Sequence, residues 1–303
     1  YTAKWRPPHR FNYKDYEIVS MGPPSSGGIL LHQMFGMIEK RNLGQFKPLS
    51  PEAVHLVTEA ERRAFADRAR YLGDADFYKV PVAEITSREY LDKRMSDYNE
   101  NKAGSSDITK AGIVPGYESK ETTHISIVDN EGNAVAITTT LNASYGCKTV
   151  VRGAGFFLNN EMDDFSSKPG VPNIYGAVGG EANAIAPGKR MLSSMSPTIV
   201  LKNNQLFLVV GTPGGTTIPT SVFQTITDIV DFHLSAEEAV NLPKFHHQWL
   251  PDEIRVETNF PTTTRAALEK MGYKCVDDGS IGRTEVILKM DDNTFEAVAD
   301  SRG

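Results

Sequence analysis

The chain has 303 residues, of which 40% are hydrophobic and 23% charged, and its formal net charge is −6. That hydrophobic share supports a substantial core and argues against disorder, and the length fits one large domain or two ordinary ones. A mildly acidic chain without a long basic run is unsuited to capture nucleic acid or an anionic membrane surface. The longest apolar runs, such as Leu206–Val210, are strand-sized and too short for a membrane-spanning helix.

The first hundred residues are predicted to be mainly helical. The pattern predicts one strand at Tyr16–Met21. It also predicts three helices, at about 29–39, at Ser50–Leu72 and from about Ser87 through Met95. Ser50-Pro51-Glu52 combines the capping serine, first-turn proline and acidic residue of a helix start. A turn rich in Pro, Ser and Gly at Pro23–Gly28 precedes the first helix, and Ser25 or Ser26 is expected to cap that helix.

Residues 99–120 are predicted to form an exposed linker, because Asn, Lys, Gly, Ser, Asp and Pro dominate and apolar periodicity vanishes. From Thr122 onward the pattern becomes β-rich. Hairpins are predicted at His124–Asp129 with Asn133–Leu141, at Thr198–Lys202 with Leu206–Gly211 and at Glu285–Met290 with Phe295–Ala299, and helices at Thr217–Phe232, Ala236–Asn241 and Thr262–Met271. Hairpins mixed with helices favour an α/β or α+β layered fold with much antiparallel pairing.

The end of the linker at Thr122 is the most informative feature for chemistry. A threonine hydroxyl is a poor nucleophile unless a base takes its proton, and the residue's own α-amine can be that base. A free α-amine has a pKa of about 7.7–8.0, which suits proton transfer near neutral pH. This design requires cleavage of the peptide bond before Thr122. Taken alone, Thr-Thr at the start of a strand more often reflects β-propensity.

Two further groups of residues have both a chemical and a purely structural interpretation. Asn159-Asn160-Glu161-Met162-Asp163-Asp164 places three carboxylates and two amides in six residues. This cluster suits a cation or a substrate ammonium group, although composition alone favours a solvated turn. Gly214-Gly215 lies between a predicted strand and a predicted helix, where backbone amides can hold an oxyanion. A tight strand-to-helix connection explains the same glycines.

The chain has two cysteines, Cys147 and Cys275, whose spacing matches no metal motif. They allow one disulfide or two free thiols, and free thiols are the simpler interpretation. No P-loop, G-x-S-x-G, H-E-x-x-H or paired C-x-x-C motif occurs.

Seven segments, taken in order, are similar to segments of gamma-glutamyltranspeptidases. They are Thr122–Ser126, Thr140–Asn142, Asn159–Phe165, Lys168–Gly180, Leu192–Pro197, Pro213–Gly215 and Phe245–Pro251. So many ordered segments with suitable separations make the resemblance very specific. It covers residues 122–303 and continues more weakly into Pro23–Gly28 and the helical region that follows.

The resemblance implies an N-terminal-nucleophile hydrolase with a four-layer αββα sandwich of the α+β class. Such proteins are made as precursors that cut themselves into a large and a small subunit. Residues 1–121 would be the C-terminal part of the large subunit, mainly helical and ending in the linker, and residues 122–303 the small catalytic subunit. Cleavage at Glu121–Thr122 would make Thr122 an amino-terminal residue.

The resemblance also implies roles for individual residues. Thr122 would attack the γ-carbonyl of glutathione or a related amide, and Thr140 would position its hydroxyl or amine. Gly214 and Gly215 would donate backbone hydrogen bonds to the oxyanion. The expected substrate-binding residues are Asn142, Glu161 and Asp164 for the α-ammonium, Ser193 and Ser194 for the α-carboxylate, and Tyr175 in a lid at Lys168–Gly180 that closes against Asn142. These pairings place acceptors at a cation and hydroxyl donors at a carboxylate.

The expected partners are γ-glutamyl compounds and amino acid or peptide acceptors, without a metal or an organic cofactor. His124, His246 and His247 are interpreted as packing residues and not as bases or metal ligands. Two alternatives remain: another acylase or a polyglutamate depolymerase on the same fold, and an uncleaved, inactive precursor or remnant.

One portion of the family pattern has no counterpart in this chain. The N-terminal half of the large subunit supplies an arginine for the substrate α-carboxylate in family members, and nothing here matches it. That half is expected to be a partner of this chain. No secretion signal is recognisable at Tyr1–Pro8, and a periplasmic or extracellular location is expected from the resemblance alone.

Overall fold

The computed structural model describes residues 2–109, 122–166, 180–292 and 294–302. The strands in these ranges are β1 His9–Tyr13, β2 Tyr16–Ser20, β3 Thr122–Val128, β4 Ala134–Thr140, β5 Thr198–Lys202, β6 Gln205–Gly211, β7 Phe245–His246, β8 Ile254–Val256, β9 Cys275–Asp277, β10 Glu285–Lys289 and β11 Phe295–Ala299. The α-helices are α1 Gly27–Ile38, α2 Pro51–Tyr71, α3 Val82–Ile85, α4 Arg88–Arg94, α5 Thr217–Val230, α6 Ala236–Asn241 and α7 Thr262–Met271. None of these helices is both long and apolar enough to cross a bilayer.

An antiparallel sheet of six strands, in the order β1-β2-β5-β6-β10-β11, forms the centre of the fold. The predicted hairpin between β5 and β6 is confirmed. Its turn residues Asn203 and Asn204 have φ of 52° and 59°, a left-handed conformation that asparagine tolerates better than most residues.

The two faces of this sheet carry different layers. Val200, Leu208 and Val286 point to one face and are buried in the core formed with α1, α2 and α5. The alternate residues point to the other face, because side chains alternate along a strand. On that second face lies the β3–β4 hairpin, which contacts β5, β6 and β10.

The β3–β4 hairpin presents a polar face inward and an apolar face outward. Thr122 pairs with Thr140 at its open end, and the register continues to Val128 opposite Ala134. His124 points inward and is buried. The residues that point outward are apolar and remain 43–50% exposed: Ile125, Ile127, Val135 and Ile137. The predicted α+β class is confirmed, with helices, large sheet and hairpin as three successive layers.

Of the two predicted caps of α1, Ser25 bonds to the start of the helix, because its hydroxyl accepts from the amide of Gly27 at 3.2 Å, and Ser26 does not. Ser26 occupies the cap position, but its hydroxyl makes no capping bond and donates instead to the carbonyl of Ser193 at 2.8 Å. The serines therefore connect the start of α1 to a distant loop. Ser50 does cap α2, accepting from the amide of Ala53 at 3.3 Å.

The predicted linker is bound to the protein body over its first part. Ser106 and Thr109 are buried, and the indole Nε1 of Trp249 donates to both of their carbonyls, at 3.2 and 2.8 Å. The hydroxyl of Ser106 also accepts from Arg62 at 2.5 Å. An exposed linker is therefore wrong for residues 103–106 and 109, whereas residues 99–102, 107 and 108 are exposed as predicted. Residues 110–121 lie outside the described ranges.

Candidate active site

Thr122 begins β3, and its hydroxyl lies 3.5 Å from that of Thr140, its cross-strand partner. The two residues border a cavity of about 340 Å³ that also includes Leu141 and Tyr145. Because the strand pairing fixes both backbones, the two hydroxyls are held on the same face of the hairpin. Thr140 therefore lies beside Thr122, and its role in positioning a nucleophile stays a prediction.

The turn after β4 links Thr140 to the acidic segment. The hydroxyl of Thr140 accepts from the amide of Asn142 at 2.9 Å. Asn142 is buried, has a φ of 71° and donates through Nδ2 to the carbonyl of Asn160 at 3.2 Å. The side-chain oxygen of Asn160 accepts from the amide of Ala143 at 2.9 Å. Asn160 thus fixes the turn that carries Asn142.

Glu161 and Asp164 lie on a 3₁₀ turn, Glu161–Asp164. Glu161 borders a second cavity, of about 630 Å³, together with Phe165 and Met191. Burial raises the pKa of Glu161, since desolvation penalises the charged form. A cation at this carboxylate would favour ionisation again. Within the described part of the chain, no cluster of three or more His, Cys, Asp or Glu residues is arranged to hold a metal ion.

Asn183 connects the acidic segment to the predicted carboxylate-binding serines. It is buried, and its Nδ2 donates to the carbonyl of Asp164 at 2.7 Å while its Oδ1 accepts from the amide of Leu192 at 2.9 Å. Ser193 follows directly. Sequence reasoning missed Asn183, because a lone asparagine outside the matching segments gives no signal.

Ser193 and Ser194 lie against the start of α1 and against α2. The amide of Ser193 donates to the carbonyl of Pro24 at 3.0 Å. The hydroxyl of Ser194 accepts from the guanidinium of Arg68 at 2.9 Å. Arg68 is buried in α2 and was not predicted from sequence, where it is one of several arginines in an amphipathic helix.

Gly214 and Gly215 form the turn between β6 and α5, with φ of 140° and 60°. A Cβ on Gly214 would lie 2.3 Å from the hydroxyl of Thr217, so glycine is required for both conformation and space. Their carbonyls accept from the first turn of α5. Their amides donate no hydrogen bond to any described residue and stand at a helix N-terminus, where negative charge is stabilised.

Hydrogen bonds connect Thr122, Thr140 and Asn142, but they do not connect all of the predicted site residues. Within the described ranges, none joins Gly214 or Gly215 to Thr122, although β6 packs against the hairpin that carries Thr122. Tyr175, the rest of segment 168–179 and the Glu121–Thr122 bond lie outside those ranges.

The histidines occupy packing positions, as predicted. His246 bonds to Thr220 at 2.9 Å and to Gln248 at 3.0 Å, and both His246 and His247 are fully buried. His124 lies 2.8 Å from Thr138 and 3.1 Å from Ser126.

Both cysteines are free thiols, the interpretation that the sequence favoured. Cys147 is exposed and Cys275 is buried, and neither forms a disulfide.

Comparison with known proteins places these features in a family. Residues 1–303 match the family model described as Gamma-glutamyltranspeptidase. The chain is 46% identical, over 302 residues, to the glutathione hydrolase proenzyme of Escherichia coli K12. The aligned region covers 100% of this chain and 52% of that protein. The chain spans about half the length of the curated relatives it matches.

Two solved structures agree with the fold. The gamma-glutamyltranspeptidase of Helicobacter pylori is similar with a TM-score of 0.58 and 52% identity, over 60% of this chain and 100% of that chain. The cephalosporin acylase of Bacillus halodurans has a TM-score of 0.81 at 22% identity, over 100% of this chain and 52% of that one. The second likeness concerns the fold alone.

Proposed function

Because the chain belongs to the gamma-glutamyltranspeptidase family, we propose that it carries the catalytic machinery of a γ-glutamyl-transferring enzyme with Thr122 as nucleophile. The observation that carries the proposal is the pairing of Thr122 with Thr140 at the open end of the hairpin, with their hydroxyls 3.5 Å apart. Residues 122–303 would form the small subunit after cleavage of the bond preceding Thr122.

The first chemical step would form a γ-glutamyl-enzyme. The Thr122 hydroxyl oxygen attacks the γ-carbonyl carbon of glutathione or a related amide, and the α-amine of the same residue takes the hydroxyl proton. The tetrahedral oxyanion would be stabilised by the amides of Gly214 and Gly215, helped by the N-terminus of α5. Collapse expels the amine portion of the substrate, which leaves with the proton held by the α-amine.

The second step would release the γ-glutamyl group. Water attacking the ester gives glutamate, and the amine of an amino acid or peptide gives a new γ-glutamyl amide. In both cases the α-amine of Thr122 takes the proton of the attacking group and returns it to the leaving hydroxyl.

The substrate head group would be recognised by residues of the turn after β4, of the Glu161–Asp164 turn and of the loop at Ser193. Asn142, Glu161 and Asp164 offer acceptors for an α-ammonium group, whose positive charge would counteract the rise that burial causes in the pKa of Glu161. Ser193 and Ser194 would donate to the α-carboxylate. Tyr175 is proposed as the lid residue that closes over this pocket.

We propose that the remaining part of the large subunit packs against the outer face of the β3–β4 hairpin. Ile125 lies opposite Ile137, and Ile127 lies opposite Val135, so the four side chains form a continuous apolar surface. Each is between 43% and 50% exposed, whereas the inner face of the same hairpin is polar. The curated relatives are about twice as long as this chain, so additional polypeptide is available to cover the surface.

Substitution of the nucleophile tests the function directly. In the full-length protein, Thr122→Ala should abolish both self-cleavage and turnover of a γ-glutamyl anilide, while Thr122→Ser should retain part of each because a hydroxyl remains. Thr263→Ala, on the exposed side of α7, is the matched control and should behave as wild type. A cleaved and active Thr122→Ala protein would refute the proposal.

A cephalosporin acylase has the same fold, so a second candidate substrate class is amides that lack the γ-glutamyl head group. Comparing turnover of glutathione with that of amides lacking the α-amino and α-carboxyl groups separates the two. A preference for the amides would overturn the γ-glutamyl assignment while leaving Thr122 as nucleophile.

A further inference from the structure

Arg68 is a buried cation that contacts two serines from different parts of the chain. Its Nε donates to the hydroxyl of Ser26 at 3.0 Å, and a terminal guanidinium nitrogen donates to that of Ser194 at 2.9 Å. The residue is 5% exposed and lies in the last turns of α2. Both hydrogen bonds have a charged donor, which makes them stronger than bonds between neutral groups.

The serines preceding α1 hold the same loop through its backbone. Ser26 donates to the carbonyl of Ser193 through both its amide and its hydroxyl, at 2.8 Å each. The hydroxyl of Ser25 donates to the carbonyl of Met195 at 2.7 Å. The peptide unit that precedes Ser194 and the Met195–Ser196 unit beyond it are therefore fixed by residues that precede α1.

Gly27 permits this close approach. A Cβ at Gly27 would lie 2.3 Å from the hydroxyl of Ser196 and 2.4 Å from the carbonyl oxygen of Met195. Such distances are far below van der Waals contact, so any larger residue would push the loop away. The sequence Ser25-Ser26-Gly27 thus has a structural purpose that helix capping does not explain.

We propose that Arg68 and Ser26 are positioning residues for the α-carboxylate subsite, which they set by orienting the Ser194 hydroxyl and the Ser193 carbonyl. A hydroxyl oxygen that accepts from a guanidinium must direct its own proton away from that group. The positive charge also makes the hydroxyl a better hydrogen-bond donor. Both effects favour an anionic ligand at Ser194, so Arg68 supports carboxylate recognition through Ser194. This inference rests on the proposed γ-glutamyl function.

The test compares two substrates in the full-length protein. One is a γ-glutamyl anilide, and the other is the 4-aminobutyryl anilide, the same molecule without its α-carboxylate. Arg68→Met should lower kcat/KM for the γ-glutamyl anilide about 10- to 100-fold, mainly through KM, since one good charge-assisted contact is worth about that factor. Turnover of the 4-aminobutyryl anilide should change less than about twofold, a small fraction of that effect.

Three further variants keep the result interpretable. Arg68→Lys should recover part of the loss, because a cation remains while the two-point contact does not. Ser26→Ala should produce a smaller loss with the same selectivity for the carboxylate. Arg70→Met, on the exposed side of the same helix, is the matched control and should leave both substrates unchanged.

The outcomes separate this inference from the function on which it rests. Equal losses on both substrates in Arg68→Met and Ser26→Ala would overturn the positioning role, as would wild-type behaviour of Arg68→Met. If Arg68→Met does not fold, the ratio of the two substrates in Arg68→Lys and Ser26→Ala decides in the same way. Failure of the wild-type protein itself to cleave the γ-glutamyl anilide would instead contradict the proposed function.

Discussion

At the scale of single residues, Thr122 illustrates what sequence can indicate about a site. The abrupt change from a polar segment to a β-strand points to this residue, and the resemblance gives it a role. The strand register then places Thr140 beside it. Thr140 could be predicted because it lies in a matching segment at a strand end.

Other residues of the site could not be predicted, for a physical reason. Asn183 acts through hydrogen bonds to loop backbone, and Arg68 reaches Ser194 across 126 positions of sequence. Contacts of this kind depend on how distant segments fold together, and neither periodicity nor spacing records them. The packing assignment of His124 was correct, but its neighbours could not be known.

His124 provides a prediction about pH. Burial lowers the pKa of His124 to about 4, below the value of about 6.5 expected in the unfolded chain. The unfolded state therefore binds more protons between these values, so the free energy of unfolding should fall as pH drops from 6.5 towards 4. The contribution of His124 is fully present above pH 6.5.

The measurement is urea unfolding of wild type and His124→Gln at several pH values. The stability difference between the two should shrink on acidification, by at most about 1.4 kcal/mol per pH unit. Comparing the two proteins cancels the contributions of the other buried histidines. Parallel curves for wild type and variant would show that His124 does not titrate in this way.

At the scale of elements, the sequence predicted the later hairpins and helices well. The bounds of α6, α7, β5 and β11 agree with prediction, because turn residues and apolar periodicity mark both ends. The strand β1 was missed, since His9–Tyr13 contains polar residues and gains its strand form by pairing with β2. The short strands β7, β8 and β9 were also missed, because two or three residues give no periodic signal.

The packing of the β3–β4 hairpin against the large sheet depends on Gly211 at the end of β6. A Cβ at this position would lie 2.1 Å from the imidazole ring of His124. Gly211→Ala should therefore shift the hairpin and lower the free energy of unfolding by about 1–3 kcal/mol, the usual cost of overpacking. Because the hairpin carries Thr122, self-cleavage should slow as well.

Gly22→Ala is the matched control for this effect. A Cβ at Gly22 would meet no atom closer than 3.6 Å, so the substitution should be nearly neutral. Stability and the rate of appearance of the cleaved form would be followed for both variants. A Gly211→Ala protein as stable as Gly22→Ala would show that the hairpin does not rest on this contact.

At the scale of the whole molecule, the described residues do not explain why the outer face of the β3–β4 hairpin is apolar and yet exposed. Exposed apolar side chains arranged on one sheet face mark an interface. The predicted αββα sandwich has a layer at this position, and the described residues do not supply it. This surface could not be identified from the sequence, because alternation along a strand does not say which face is covered.

Substitution on this face tests whether it is covered in the full-length protein. The double variant Ile125→Thr/Ile137→Thr keeps β-branched residues but removes apolar surface. If the rest of the large subunit packs there, each substitution should cost roughly 1–3 kcal/mol in urea unfolding. Ile108→Thr, at a residue that is 75% exposed, should change stability by less than about 0.5 kcal/mol. A neutral double variant would mean that this face remains in water.

Mass spectrometry of the full-length protein, after incubation with a γ-glutamyl reagent, tests the central claim most directly. We expect two fragments, the second beginning with a free amine at Thr122 and bearing the γ-glutamyl group on the hydroxyl of that residue. A single uncleaved mass, or cleaved protein whose acyl group lies on another residue, would contradict it.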